Sequence, residues 1–216
     1  MVILKLSNQR LKRKKNNKLD RNYSLKKIIL ISILSLFIFD NNYAQTKYSN
    51  LIEWDATNKI KWDDFQSKID SSSHFKAECT TLFECFFYLK NDSVFCRIKT
   101  FFNPEKSWKK TIDLNNFYDL NHEQRHFDIT EIYARKIRQI IINNKLNEES
   151  IQKIYRENAK ACNDFQTMYD RETNHSINIT KQKIWDKKID TLLLSLEDYK
   201  EQDIFIYNPS CKLCWK

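Results

Sequence analysis

Apolar and polar side chains alternate along the chain from Ala77. Ala77, Cys79, Thr81, Phe83, Cys85, Phe87 and Leu89 fall on one side, with Lys76, Glu78, Thr80 and Glu84 on the other. A period of two puts each set on its own face of an extended chain, so this stretch predicts a strand with one buried face. Lys90-Asn91-Asp92-Ser93 supplies turn chemistry, and Val94, Cys96, Ile98 and Thr100 alternate on the return. The pair predicts a hairpin with Phe83 and Phe87 facing in, and Phe86 and Tyr88 facing out. Leu51–Trp54 and Lys59–Trp62 read as two short strands around an Asp55–Asn58 turn. Pro104 closes the strand region.

Beyond Phe117 the period lengthens. Phe127, Ile132, Ile137, Ile140 and Ile141 recur at helical spacing and predict a helix over about 117–143. Asn147-Glu148-Glu149-Ser150 starts a second helix, over about 151–169, through Ile154, Ala161, Phe165 and Met168. Glu172 to Ser176 breaks the pattern. A third helix follows over about 181–199, carrying Ile184, Trp185, Ile189, Leu192, Leu193 and Leu196. Antiparallel strands followed by about three long helices describe an α+β fold.

Composition narrows the function. The 216 residues include no Gly, so phosphate loops, dinucleotide fingerprints and nucleophile elbows cannot be written. The net charge of +9 is concentrated at the start, where residues 1–44 hold ten of the 37 basic residues and two of the 28 acids. The remainder is nearly balanced, so a nucleic-acid partner is not expected. Within that leader, Lys26-Lys27 precede twelve largely apolar residues, Ile28 to Phe39, and Ala44 stands before a polar start. These are the parts of a signal peptide, and the run is shorter than the roughly 20 residues of a membrane span. The expected organisation is a basic leader and signal peptide over 1–44, then one exported domain over 45–216 with a Cys-containing tail. An uncleaved leader would be the only membrane anchor. All six cysteines lie in the exported part, which permits disulfides in an oxidising compartment but does not choose among 15 pairings. Cys211 and Cys214 have metal-knuckle spacing with no second pair to complete a zinc site, so a disulfide or plain thiols are expected there.

The chemistry sits in His122-Glu123-Gln124-Arg125-His126. On a helix, residues four apart share a face, so both imidazoles reach one metal ion. Glu123 is turned by about a hundred degrees, where it addresses a water activated by the metal and serves as general base. A third ligand must come from elsewhere. Glu131 and Asp128 are out of phase with His122 on the same helix and point away. The break after the second helix offers Asp170, Glu172 and His175. His175, on a presumed loop, is the first choice, with Asp170 as the alternative ligand or as an acceptor behind a ligating imidazole.

These residues resemble a bacterial exported family, domain of unknown function 922, often labelled zinc-dependent proteases. The likeness lies in Asn121-His122-Glu123-Gln124-Arg125-His126-Phe127-Asp128-Ile129 and in Tyr169-Asp170-Arg171-Glu172-Thr173-Asn174-His175. Trp62-Asp63-Asp64-Phe65 and Ser107-Trp108 resemble its tryptophan-containing segments, so the likeness spans about 54–185. It implies His122 and His126 as ligands, Glu123 as base, and Tyr169, Asp170, Thr173 and His175 as a second cluster of the same site. Arg125 and Ser176 stand where the family usually has Gly. The second is the more consequential, because a Gly there suggests a positive φ.

The expected function is therefore an exported zinc-dependent metallohydrolase acting on a peptide or protein substrate. Zn²⁺ would be held one per chain by His122, His126 and His175, with Tyr169 and Arg171 as possible oxyanion donors. The alternative is a non-catalytic exported binding protein, with a structural metal or none, whose working surface is the aromatic outer face of the hairpin.

Overall fold

The computed structural model describes residues 49–110, 117–144, 146 and 148–207. The leader and both tail cysteines, Cys211 and Cys214, lie outside the described residues. The hairpin forms from β3 (Thr81–Lys90) and β4 (Ser93–Phe102), and its register pairs Phe83 with Thr100, Cys85 with Ile98 and Phe87 with Cys96. Asn91 and Asp92 join the strands at φ 49° and 57°. Two left-handed residues in a two-residue loop match the strand twist, and Asn and Asp tolerate that region best after Gly. On β4 the inner face is buried as the alternation requires, with Cys96 and Ile98 fully enclosed, whereas on β3 only Phe83 is buried, Cys85 and Phe87 are half-buried, and Leu89 is exposed.

β4 is the centre of the sheet. β3 runs along one edge, while β6 (Asp203–Tyr207) and β1 (Ile52–Glu53) share the other, opposite Val94–Arg97 and Phe101–Phe102. β2 (Ala77–Glu78) and β5 (Trp108–Lys109) form a separate two-stranded ribbon. Three helices follow: α1 (Phe117–Asn144), α2 (Glu148–Thr173) and α3 (Ile179–Ser195). α1 packs on β3 and β4 with one side and on α2 and α3 with the other. The main core joins Phe83, Cys96 and Ile98 of the sheet to Ile129, Ile132 and Ile137 of α1, and to Trp185 and Ile189 of α3. The architecture is α+β, strands before helices.

α1 is buried on nearly every side, so its polar residues need partners. Glu131 takes the guanidinium groups of Arg135 and Arg138, each at 3.0 Å, and the Thr100 hydroxyl at 2.7 Å. Arg138 also donates to the carbonyls of Ile98 and Tyr199, tying β4 to the chain beyond α3.

Several details depart from the sequence pattern: α2 runs on to Thr173, so Asp170 and Glu172 lie on the helix rather than in a break after it, and β5 follows Pro104. Lys59–Trp62 is not a strand. Ile60 donates its backbone N–H to the Gln124 side-chain oxygen at 3.0 Å, and Trp62–Asp64 makes a 3-10 turn whose start is tied by Asp64 to the Lys61 N–H. Ile60 and Trp62 are apolar because they fill a second core with Phe65, Phe102 and Phe127. Ala77–Glu78 leaves the hairpin line to pair with β5. The third helix stops at Ser195, and Glu197–Tyr199 is a 3-10 turn. β6 was not expected at all; its five residues are too few to show a period by themselves. On the outer face of the sheet Tyr88 stacks on Phe95, and Phe95 meets the exposed Phe205 edge-on. Cys79, Cys85, Cys96 and Cys162 are free thiols, with the Cys85 and Cys96 sulfurs 3.2 Å apart. Among the described residues no helix is long and apolar enough to cross a membrane.

Candidate metal centre

Asp119, His122, Glu123 and His126 lie at i, i+3, i+4 and i+7 of α1, so they form one stripe of the helix. α2 brings Asp170 against this stripe. His122 Nε2 is 3.2 Å from Asp170 Oδ1, and His126 Nε2 is 2.9 Å from the same oxygen. His175 Nδ1 approaches that oxygen too, at 3.6 Å. The donor atoms of His122, Asp170 and His175 all lie within 4.8 Å of one another. Two donors about 2.0–2.1 Å from a tetrahedral zinc are about 3.3 Å apart, so the spacing around Asp170 suits such an ion.

The far sides of the two rings decide their protons. Gln182 donates its amide N–H groups to Asp186 Oδ1 (2.8 Å) and the Tyr169 hydroxyl oxygen (2.6 Å), which turns its oxygen to His122 Nδ1 at 3.0 Å. Gln166 donates to the Thr130 hydroxyl oxygen and turns its oxygen to His126 Nδ1 at 2.8 Å. An amide oxygen only accepts, so both Nδ1 atoms carry hydrogen. In the neutral imidazoles both Nε2 lone pairs then face the Asp170 carboxylate, acceptor against acceptor. Protons or a cation must fill that space. The donor set of imidazoles and one carboxylate fits zinc.

In the metal-free protein a proton on His126 takes this role. Burial opposes a charge on His126, but the hydrogen bond to Asp170 outweighs it and raises the imidazole to about 9. Burial likewise opposes the Asp170 carboxylate, and the His122 and His126 hydrogen bonds hold it well below the usual range. Glu123 is buried beside them, lines the cavity and hydrogen-bonds no described residue. Burial pushes its carboxyl up, against the pull of the two imidazoles.

His175 arrives on an unusual turn. α2 ends at Thr173, whose hydroxyl donates to the Tyr169 carbonyl at 2.7 Å. Asn174, His175 and Ser176 then adopt φ values of 50°, 49° and 70°. Left-handed backbone costs roughly 1–2 kcal/mol for a residue with a Cβ, least for Asn. Ser176, where the sequence suggested a positive φ, is left-handed. Its hydroxyl donates to Asp119 Oδ1 at 2.6 Å, and Lys76 Nζ reaches Asp119 Oδ2 at 3.0 Å. The Phe75 ring lies 4.0 Å from that of His175.

Arg125 points away from the cavity and binds Asp128, Asp186 and Asp190 at 3.1, 3.1 and 2.6 Å. It clamps α3 to α1, and Asp186 is the residue that orients Gln182. Arg125→Ala leaves Asp128 buried with less compensation and should cost about 3 kcal/mol in a urea melt.

The imidazoles open on a cavity of about 300 Å³ walled by β2, α1, α2 and the turn after α2. Cys79 also faces it. Burial pushes this thiol up, with Glu123 adding to the effect, so it stays protonated. Tyr169 is packed against His122 at 4.6 Å, and its hydroxyl donates to the His122 carbonyl rather than facing the cavity. Arg171 is exposed outside the cavity, and Glu172 accepts the Trp185 indole N–H. Asp128 and Glu131 are engaged elsewhere, as their helical phase requires. Gln166, Gln182, Asp119 and Ser176 were not anticipated. Gln166 stands one turn before Asp170, a signal visible in retrospect; Gln182 lies on a different helix from His122 and carries none. Comparisons of the chain with protein-family models, with curated proteins and with solved structures found no match.

Proposed function

We propose that this protein is an exported zinc-dependent hydrolase acting on peptide bonds. The observation that carries the metal is the convergence of two Nε2 lone pairs on Asp170 Oδ1, with both Nδ1 hydrogens already committed to Gln182 and Gln166. His122, Asp170 and His175, whose donor atoms lie within 4.8 Å of one another, would hold the ion together with His126, which is 2.9 Å from the Asp170 carboxylate. The side chain of His175 is 40% exposed, against 4% for His122, 10% for His126 and 27% for Asp170. It is the most exposed of the four candidate donors. Zinc held by such donors supplies Lewis acidity and acidifies water to a pKa near 7.

Glu123 does the proton chemistry. Its raised affinity for a proton brings it nearer the operating pH, where a base that must later act as an acid works best. It takes a proton from water in the cavity and returns it to the leaving amine. The likeness to the domain of unknown function 922 family and the leader of residues 1–44 support the same reading, including export. The test is cleavage of a peptide mixture, followed by mass spectrometry, with zinc-loaded protein and Glu123→Gln. The variant should retain zinc and lose about 10²–10⁴-fold in rate. Equal cleavage by both proteins, or none by either, refutes the hydrolase. The exposed aromatic face around Phe205 would then be the surface to pursue as a binding site.

A further inference from the structure

We infer, building on the zinc reading above, that Ser176 and Asp119 form a latch that holds His175 on the metal site. Three facts meet here. The turn Asn174–Ser176 is left-handed throughout, although none of its residues is Gly. Such a conformation persists where the surroundings over-determine it. The backbone supplies part of the hold: His175 N–H donates to the Asp170 carbonyl (3.0 Å), and Asn178 N–H to the Thr173 carbonyl (2.8 Å). Besides the contacts of the His175 ring with Asp170 and Phe75, the turn is anchored by the buried Ser176 hydroxyl, on Asp119 at 2.6 Å.

Asp119 sits one turn before His122 on the same stripe of α1. The latch therefore references His175 directly to the helix that carries the other imidazoles. Lys76 holds the second Asp119 oxygen, and its neighbour Phe75 lies against the His175 ring, so the same contact closes the cavity wall on the other side. Ser in place of Gly at this position exchanges an unstrained backbone for a hydroxyl that fastens the ligand. Ser176 and Asp119 are positioning residues; neither needs to touch the ion.

The decisive variant is Ser176→Gly, which relieves the backbone while removing the hydroxyl. Its metal-free melting temperature should not fall, so misfolding does not imitate the effect. The proton resonance of His175 Cε1, displaced by the Phe75 ring current in the metal-free protein, should move toward its unstacked position. Zinc affinity, measured by competition with a chromophoric chelator, should fall about tenfold. In a His175→Ala background Ser176→Gly should change zinc affinity no further, because it acts through that ring. Asp119→Asn keeps an acceptor for Ser176 and should preserve the resonance, whereas Asp119→Ala should displace it. An unmoved resonance in Ser176→Gly, or the same loss of zinc affinity with and without His175, overturns the latch. Should the parent protein take up no zinc, the hydrolase reading falls and the His175 resonance still decides the latch.

Discussion

Zinc content should drop from one ion per chain to none when His122 and His126 are both replaced by Ala. These two imidazoles are the ones whose Nδ1 hydrogens are fixed by Gln182 and Gln166, so they are the most firmly aimed donors in the protein. Metal binding to the folded chain stabilises it by mass action, about 4 kcal/mol at a thousandfold excess over the dissociation constant. The parent should therefore melt well above its chelator-treated form, and the double variant should show no difference. The pH dependence gives the sign. In the metal-free protein His126 is raised from 6.5 to about 9, so its pairing with Asp170 contributes fully below about pH 6.5 and is lost as pH rises through 9. Asp170, held below the usual carboxylate range, contributes above about pH 4 and loses its share as pH falls. Metal-free stability should thus decline between pH 6.5 and 9. Zinc needs the neutral imidazole, so the increment from zinc should grow over the same interval. Thermal melts with zinc and with chelator at both pH values measure it. Parallel curves would remove His126 from the metal site.

The second large effect lies away from the site. Glu131→Ala should cost about 3–5 kcal/mol, the range for breaking a buried ion pair. Arg138 is fully buried and the Arg135 side chain is 4% exposed, so both guanidinium groups would lose their shared carboxylate without gaining water. Thr100 would lose its acceptor as well. The cost is not confined to α1, since Arg138 also fastens β4 to the segment after α3. Glu131→Gln keeps an acceptor oxygen and should cost less than Glu131→Ala. Urea denaturation midpoints compare the three proteins. Arg135 keeps Glu197 at 2.9 Å, so most of the loss should fall on Arg138, and a loss below about 1 kcal/mol for Glu131→Ala would mean that water reaches its guanidinium group.

Both networks belong to α1, and that helix shows where sequence reading works and where it ends. The stripe of Asp119, His122, Glu123 and His126 follows from helical geometry alone, as does the exclusion of Asp128 and Glu131 from it. Why α1 carries Glu131, Arg135 and Arg138 on a buried side does not follow from its own sequence. A helix covered by a sheet on one side and two helices on the other has no solvent face, and its buried charges are balanced partly along the helix, Glu131 with Arg135 and Arg138, and partly by partners about 31 to 62 positions away.

The hairpin gives the same lesson in its simplest form. Alternation and the Asn91-Asp92 turn set which residues face inward and which partners they meet, because both depend on neighbours in the chain. The same alternation ran on into Ala77–Glu78, where pairing with Trp108–Lys109 prevailed, and Ile60 and Trp62 were apolar for a core rather than a strand. The candidate site divides in the same way. Local spacing determined by itself that His122 and His126 share a face and that Glu123 stands beside them. Only the tertiary structure brought Asp170 Oδ1 to 3.2, 2.9 and 3.6 Å from the imidazoles of His122, His126 and His175. It alone supplied Gln166, Gln182 and the Asp119–Ser176 anchor. Those choices depend on the depth to which α2 and α3 return against α1, which long-range packing sets and no local period encodes.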